Sequence, residues 1–252
     1  TLTAVYNDLD SVRALLEANR GEVAAVIVEP VAANMGVVLP KEGFLQGLRS
    51  LCTEHGAVLI FDEVITGFRL GFGGAQEHFG VAADLVTYGK IIGAGMPVGA
   101  YGGKREIMEM ISPSGSVYQA GTLSGNPVAM AAGLTQLKIL QGNPEIYTRL
   151  FQKGEKLFEG MKELLQRYEA GCTMNYIGSL GCIFFTDRPV ENYSDAKTAD
   201  TARFAEYFAY MLNHGIHLAP SQFEAIFVSD AHTDETTEET LEVLKNYLES
   251  KK

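Results

Sequence analysis

Residues Leu85–Gly95, LVTYGKIIGAG, decide how the rest of the chain reads. Leu85, Val86, Thr87 and Tyr88 form a short, mostly apolar run closed by Gly89, which predicts a buried strand. Lys90 follows at once, then two β-branched residues and a glycine-rich turn. A lysine at the end of a buried strand is costly to keep charged, because desolvation disfavours the ammonium. The neutral amine is a nucleophile that forms a Schiff base with an aldehyde. The plain alternative is a strand-end lysine that snorkels to water.

Upstream, Ala57–Phe61 (AVLIF) is a second apolar run, closed by Asp62 and Glu63. An acid at the carboxyl end of a parallel strand sits where open α/β sheets bind ligands. Between Asp62 and Lys90 there is room for a crossover and one more strand. Pyridoxal phosphate (PLP) uses two such groups, a lysine for its aldehyde and a carboxylate that keeps its pyridine nitrogen protonated. An isolated strand-end aspartate is more commonly a cap or turn residue; the pairing with Lys90 favours the chemical reading.

Three segments, DEVITGFR (Asp62–Arg69), LVTYGKIIGAGMPVGAYGGK (Leu85–Lys104) and YQAGTLSGNPVAMAAG (Tyr118–Gly133), resemble the fold-type I, class III PLP-dependent enzymes. The likeness runs over nearly the whole chain and is strongest to the aminomutase branch of that family. It implies part of a large α/β domain, mostly parallel sheet with crossover helices, followed by a smaller α+β domain. It also implies intramolecular amino transfer that converts glutamate 1-semialdehyde to 5-aminolevulinate, on the route to tetrapyrroles, with PLP and its pyridoxamine form as cofactor. A class III ω-aminotransferase, or a non-catalytic fragment acting only as a binding module, are the alternatives.

Carried over position by position, the resemblance makes Lys90 the catalytic lysine and proton shuttle and Asp62 the partner of the pyridine nitrogen. Val64 would pack on the cofactor ring, though a plain core valine is an equal account. Thr122, in the loop Gly121–Pro127 before a helix, would bind the cofactor phosphate of a neighbouring subunit, implying a homodimer with shared active sites. A helix start is itself a ready anion site, and a simple capping loop is the alternative. Gln119 replaces the histidine common in ordinary class III aminotransferases, and Leu123-Ser124 replaces their Phe-Gly; both departures favour the mutase and put Gln119 near substrate. Asn34 would lie near the cofactor, or be a turn asparagine. Glu224, in APSQFEA (Ala219–Ala225), would sit near the amino-acid aldehyde substrate, or be a solvated glutamate.

The family's cofactor-phosphate segment, its ring-stacking aromatic and its carboxylate-binding arginine lie upstream and have no counterpart here. The expectation is the carboxy-terminal portion of a longer enzyme whose amino-terminal half is a required partner. The chain opens α, β, α, β, which predicts parallel strands joined by helices. Helices are expected over 9–19, 41–55, 104–112, 127–140 and 144–168, with strands at 23–29 and 98–102. Beyond residue 143 the rhythm changes to short strands at 175–186, 216–220 and 227–229 with helices near 197–213 and 238–249. The expected division is therefore 1–143 and 144–252.

Among 252 residues, 46% are hydrophobic and 20% charged, ordinary for a globular protein with a sizeable core. A net charge of −11 argues against nucleic acid or an anionic membrane as partner. The three scattered cysteines fit a reducing compartment, expected to be cytoplasmic with a plastid left open. There is no HExxH pair for a metal, no GxxxxGK[ST] loop and no GxSxG elbow. Gly93-x-Gly95 lacks the context of a dinucleotide fingerprint.

Overall fold

Asp8 starts the first helix, α1 (Leu9–Ala18), by accepting a hydrogen bond from the Ser11 N–H at 2.9 Å. A computed structural model describes residues 1–251. After α1 come β1 (Ala25–Val28), α2 (Phe44–His55), β2 (Val58–Asp62), α3 (Gly74–Phe79) and β3 (Leu85–Tyr88). A short 3-10 turn (Lys90–Gly93), β4 (Ala100–Gly103), α4 (Arg105–Met108) and α5 (Pro127–Gly142) complete this part. Gly56, in the left-handed region, ends α2 where its position in the sequence predicts.

The strands form a sheet in the order β1-β2-β3-β4. The first three are parallel and β4 returns antiparallel to β3, so the sheet is mixed and mostly parallel. β4 begins two residues later than the sequence suggests, because Pro97 and Gly99 hold the preceding segment out of the ladder. Alternation divides the sheet cleanly. Leu59 and Phe61 of β2 and Val86 of β3 are buried, and α2 packs against β2. On the opposite face, Ile27 of β1 is 63% exposed and Tyr101 of β4 43% exposed. In-register pairing places Ile27 beside Ile60, and Asp62 and Tyr101 on either side of Thr87. Asp62 therefore belongs to the open face.

The start of β3 is locked by Asp84, a buried carboxylate. It takes Arg49 Nη1 and Lys104 Nζ, each at 2.7 Å, and the Leu59 N–H at 2.7 Å. One side chain thus ties α2, β2 and the end of β4 together.

The second unit contains α6 (Glu145–Arg167), β5 (Thr173–Ile177), β6 (Leu180–Phe184), α7 (Tyr193–Ala196), α8 (Thr201–Asn213), β7 (Ile226–Phe227) and α9 (Asp234–Glu249). Its sheet is antiparallel, in the order β5-β6-β7. Phe158 and Met161 of α6, Tyr207 and Met211 of α8 and Leu244 of α9 fill one core with the sheet. Thr233 and Thr236 cap α9 reciprocally.

Two expectations need correction. The run 175–186 is not one strand but a hairpin, turned at Gly178 and Ser179. Residues 216–220 form no strand: Pro220 has no N–H to give, and β6 takes Ile226–Phe227 as its neighbour instead. Compactness puts the main break between Pro144 and Glu145, beside the expected cut at 143, and carries two earlier stretches across it. One unit holds Thr1–Ala4, Asp8–Pro30 and Glu42–Pro144, while Val5–Asn7 and Val31–Lys41 belong with the chain from Glu145 onward. Hydrogen bonds explain this: the Gly36 N–H donates to Phe223 O at 2.8 Å, and Asn175 Nδ2 donates to Val37 O at 3.0 Å.

The Tyr207 ring is 1% exposed, and its hydroxyl has no hydrogen-bond partner among the described residues. Burying an unpaired hydroxyl costs about 1–3 kcal/mol. Tyr207→Phe is therefore expected to raise stability by about 1 kcal/mol, read as a higher denaturant midpoint at unchanged slope; a lower midpoint would show that the hydroxyl is satisfied. Among the described residues no helix is long and apolar enough to cross a membrane.

Candidate functional site

β2 and β3 end side by side, Asp62 opposite Thr87. Asp62 Oδ1 accepts the Val64 N–H at 3.1 Å and the Thr87 hydroxyl at 3.2 Å. Its other oxygen, Oδ2, takes no hydrogen bond among the described residues. Val64 lies against the backbone just before the lysine, since a Cβ on Gly89 would come within 3.2 Å of Val64 Cγ1.

Lys90 opens the 3-10 turn with φ of 49°. A non-glycine residue in the left-handed region is strained by about 1–3 kcal/mol, and such residues cluster at working sites. The side chain is exposed, which corrects the expectation of a desolvated amine. The strand stops at Tyr88, and the turn carries Lys90 beyond the packed part of the sheet. Behind it α5 supports the turn at close range: a Cβ on Gly133 would meet Ile92 O at 2.3 Å. No larger residue fits there without moving the turn.

Glu63, next to Asp62, is fully buried. Oε2 accepts the Ala75 N–H at 2.6 Å and the Thr66 hydroxyl at 3.1 Å, and Oε1 accepts the Gln76 N–H at 3.3 Å. Burial pushes its pKa up, opposed by these three donors. The carboxylate thus clamps the glycine-rich passage after β2. Gly74, with φ of 66°, is required at that clamp, because a Cβ would lie 2.3 Å from Glu63 Oε2.

Gln119 and Thr122 are exposed on the loop before α5. The helix start is less available to an anion than the sequence suggests. Asn126 Oδ1 accepts the Val128 and Ala129 N–H groups at 3.1 and 3.2 Å, and Pro127 has none to offer. The first turn is capped by its own side chain. An anion here would have to rely on Thr122 and the loop backbone.

Asn34 and Glu224 lie in the second unit, both exposed. Their segments are stitched together: the Gly36 N–H donates to Phe223 O, one residue before Glu224. Gln222, 2% exposed, fastens the Glu224 segment to β6 by donating to Ile183 O at 2.7 Å.

Sequence reading missed Glu63, Thr87 and Gln222. Thr87 had a signal, a hydroxyl at an alternate position of a strand whose neighbour ends in a carboxylate. Gln222 had none, since it is fastened through backbone groups of a distant strand, and Glu63 had only Thr66 three residues along, its other donors being backbone N–H groups.

A carboxylate with one oxygen held and the other open can take the protonated nitrogen of a heteroaromatic ring. An exposed primary amine on the next strand end can bond to an aldehyde carbon.

A family model described as Aminotransferase class-III matches residues 3–248. Glutamate-1-semialdehyde 2,1-aminomutase 1 of Lachnoclostridium phytofermentans is 62% identical over 250 residues, covering 99% of this chain and 58% of that protein. The glutamate-1-semialdehyde 2,1-aminomutase of Ruminiclostridium cellulolyticum is 60% identical over 248 residues, covering 98% of this chain and 57% of that one. Among solved structures, a β-phenylalanine aminotransferase from Variovorax paradoxus aligns with a TM-score of 0.90 at 31% identity, over 97% of this chain and 56% of that one. A glutamate-1-semialdehyde-aminomutase from Pseudomonas aeruginosa PAO1, in complex with PMP, aligns with a TM-score of 0.88 at 28% identity, over 98% and 56%. The chain thus spans between half and three fifths of the length of the relatives it matches.

Proposed function

The chain belongs to the class-III aminotransferase family, and from that premise we propose that it carries the reacting lysine and ring-nitrogen carboxylate of a PLP-dependent glutamate-1-semialdehyde 2,1-aminomutase. The activity is that of a polypeptide of the relatives' length, and its product is 5-aminolevulinate. The observation that carries this reading is the pairing of Asp62, one oxygen open, with an exposed Lys90 on adjacent strand ends, in a chain about 60% identical to aminomutases.

The residues fit the cofactor by their chemistry. Asp62 Oδ2 would hold the protonated pyridine nitrogen, Val64 would pack on the ring, and Lys90 would bond the aldehyde carbon. When bound, PLP draws electrons from the substrate carbon that loses its proton. Lys90 would then move that proton, taking it from one carbon and returning it to the other. Thr122 would hold the cofactor phosphate of a second copy, and the exposed apolar residues Val128 and Leu134 on α5 favour a homodimer through this region. Asn34 would lie near the cofactor; Gln119 would serve the substrate, as would Glu224, toward its amino group.

The alignment with the Variovorax paradoxus aminotransferase supports a second reading, amino transfer to a separate oxo acid. One assay separates them. The cofactor-loaded protein, given glutamate 1-semialdehyde and no oxo acid, is expected to turn over continuously to 5-aminolevulinate. Product that stops at one equivalent per site, and resumes only when an oxo acid is added, would replace the mutase by an aminotransferase.

A further inference from the structure

We propose that Thr87 is a positioning residue for the Asp62 carboxylate. Resting on the reading of Asp62 as the partner of a pyridine nitrogen, the inference adds what aims it. A carboxylate on a strand end rotates about its last bond, and a rotated one presents the wrong oxygen.

Here both internal hydrogen bonds fall on the same oxygen, Oδ1, from the Val64 N–H and from the Thr87 hydroxyl. The two donors come from different elements, the turn after β2 and the middle of β3. Together they fix the plane of the carboxylate and leave Oδ2 directed away from both. The Val64 N–H alone leaves the group free to swing, because it belongs to the same turn as Asp62. Parallel register makes Thr87 the residue directly opposite Asp62, so the hydroxyl reaches without distorting the strand. Each hydrogen bond to a charged group is also stronger than one between neutral groups. No other side chain among the described residues bonds this carboxylate.

The test uses the cofactor-loaded protein with PLP labelled with ¹⁵N in its ring, and follows the nitrogen chemical shift against pH. Thr87→Val keeps the shape and removes the hydroxyl; Thr87→Ser keeps the hydroxyl. The expected result for Thr87→Val is loss of the ring-nitrogen proton about one pH unit lower, about a tenfold change in its protonation equilibrium. Thr87→Ser is expected to titrate as the parent does. Thr87→Ala serves in place of the valine variant if the latter does not fold, with the same expected shift. A Thr87→Val curve that overlays the parent's overturns the proposal, as does a serine curve displaced as far as the valine's. Asp62→Asn distinguishes the two levels: if it leaves the ring nitrogen protonated as in the parent, the reading of Asp62 itself fails. If only the Thr87 variants are silent, that reading stands and the positioning role falls.

Discussion

Lys90→Ala is expected to abolish covalent attachment of PLP and to lower turnover by about 10²–10⁴-fold, the range for removing a positioned general base. The argument has two independent parts. Chemically, the amine is exposed at the end of β3, beside the strand that ends in Asp62. Conformationally, Lys90 is held at φ of 49°, a backbone state that glycine adopts without cost and lysine does not. If the strain is kept for chemistry, stability and activity should separate. Lys90→Gly should lose attachment as completely as Lys90→Ala while gaining about 0.5–1 kcal/mol of stability by relieving the left-handed conformation. Borohydride reduction followed by mass spectrometry reads the attachment, and urea denaturation reads the stability. A reduced adduct that persists in Lys90→Ala would move the reacting amine to another lysine.

The second large effect is structural. Asp84→Ala is expected to destabilise the protein by about 3–5 kcal/mol, as does removal of one member of a buried charge cluster. The loss leaves the Leu59 N–H unpaired and Arg49, three-quarters buried, without its carboxylate. Lys104 is half exposed and rehydrates readily, so the lower half of that range is expected. The same cluster predicts a pH dependence. Burial would raise the Asp84 pKa, but the Lys104 hydrogen bond, the Leu59 N–H and Arg49 outweigh it and bring it from 3.8 down to about 2. A carboxylate whose pKa is depressed on folding adds stability above its unfolded value and loses it as pH falls through the folded value. About 2 kcal/mol should therefore disappear between roughly pH 4 and pH 2. Urea midpoints across that range check it, with Asp84→Asn as the reference. A parent curve parallel to the asparagine variant's throughout would refute the assignment.

The working edge of the sheet was legible because it obeys local rules. Apolar runs of strand length, each stopped by a charged residue or a glycine, marked β2 and β3, and the same punctuation put Asp62 and Lys90 at their ends. Helices with side-chain caps, such as α1 behind Asp8, were equally readable. What escaped was set by tertiary partners. The loop 31–41 looks like a connection between β1 and α2 in sequence, yet its hydrogen bonds go to Phe223 and Asn175, far along the chain. The strand expected at 216–220 has β-forming residues, but the place beside β6 is taken by Ile226–Phe227. Exposure of Lys90 was misjudged because sequence gives the length of an apolar run and not where the packed region stops. The anion site before α5 was overestimated because Asn126 reads equally well as a loop residue and as the cap it turns out to be.

The bare side of the four-stranded sheet has a practical consequence. Parallel strands ordinarily carry helices above and below, whereas here Ile27 and Tyr101 meet solvent. Hydrocarbon held flat and open in this way is adhesive, and salting-out anions such as sulfate strengthen the attraction. Self-association that grows with added sulfate is therefore the expected behaviour of this polypeptide studied by itself.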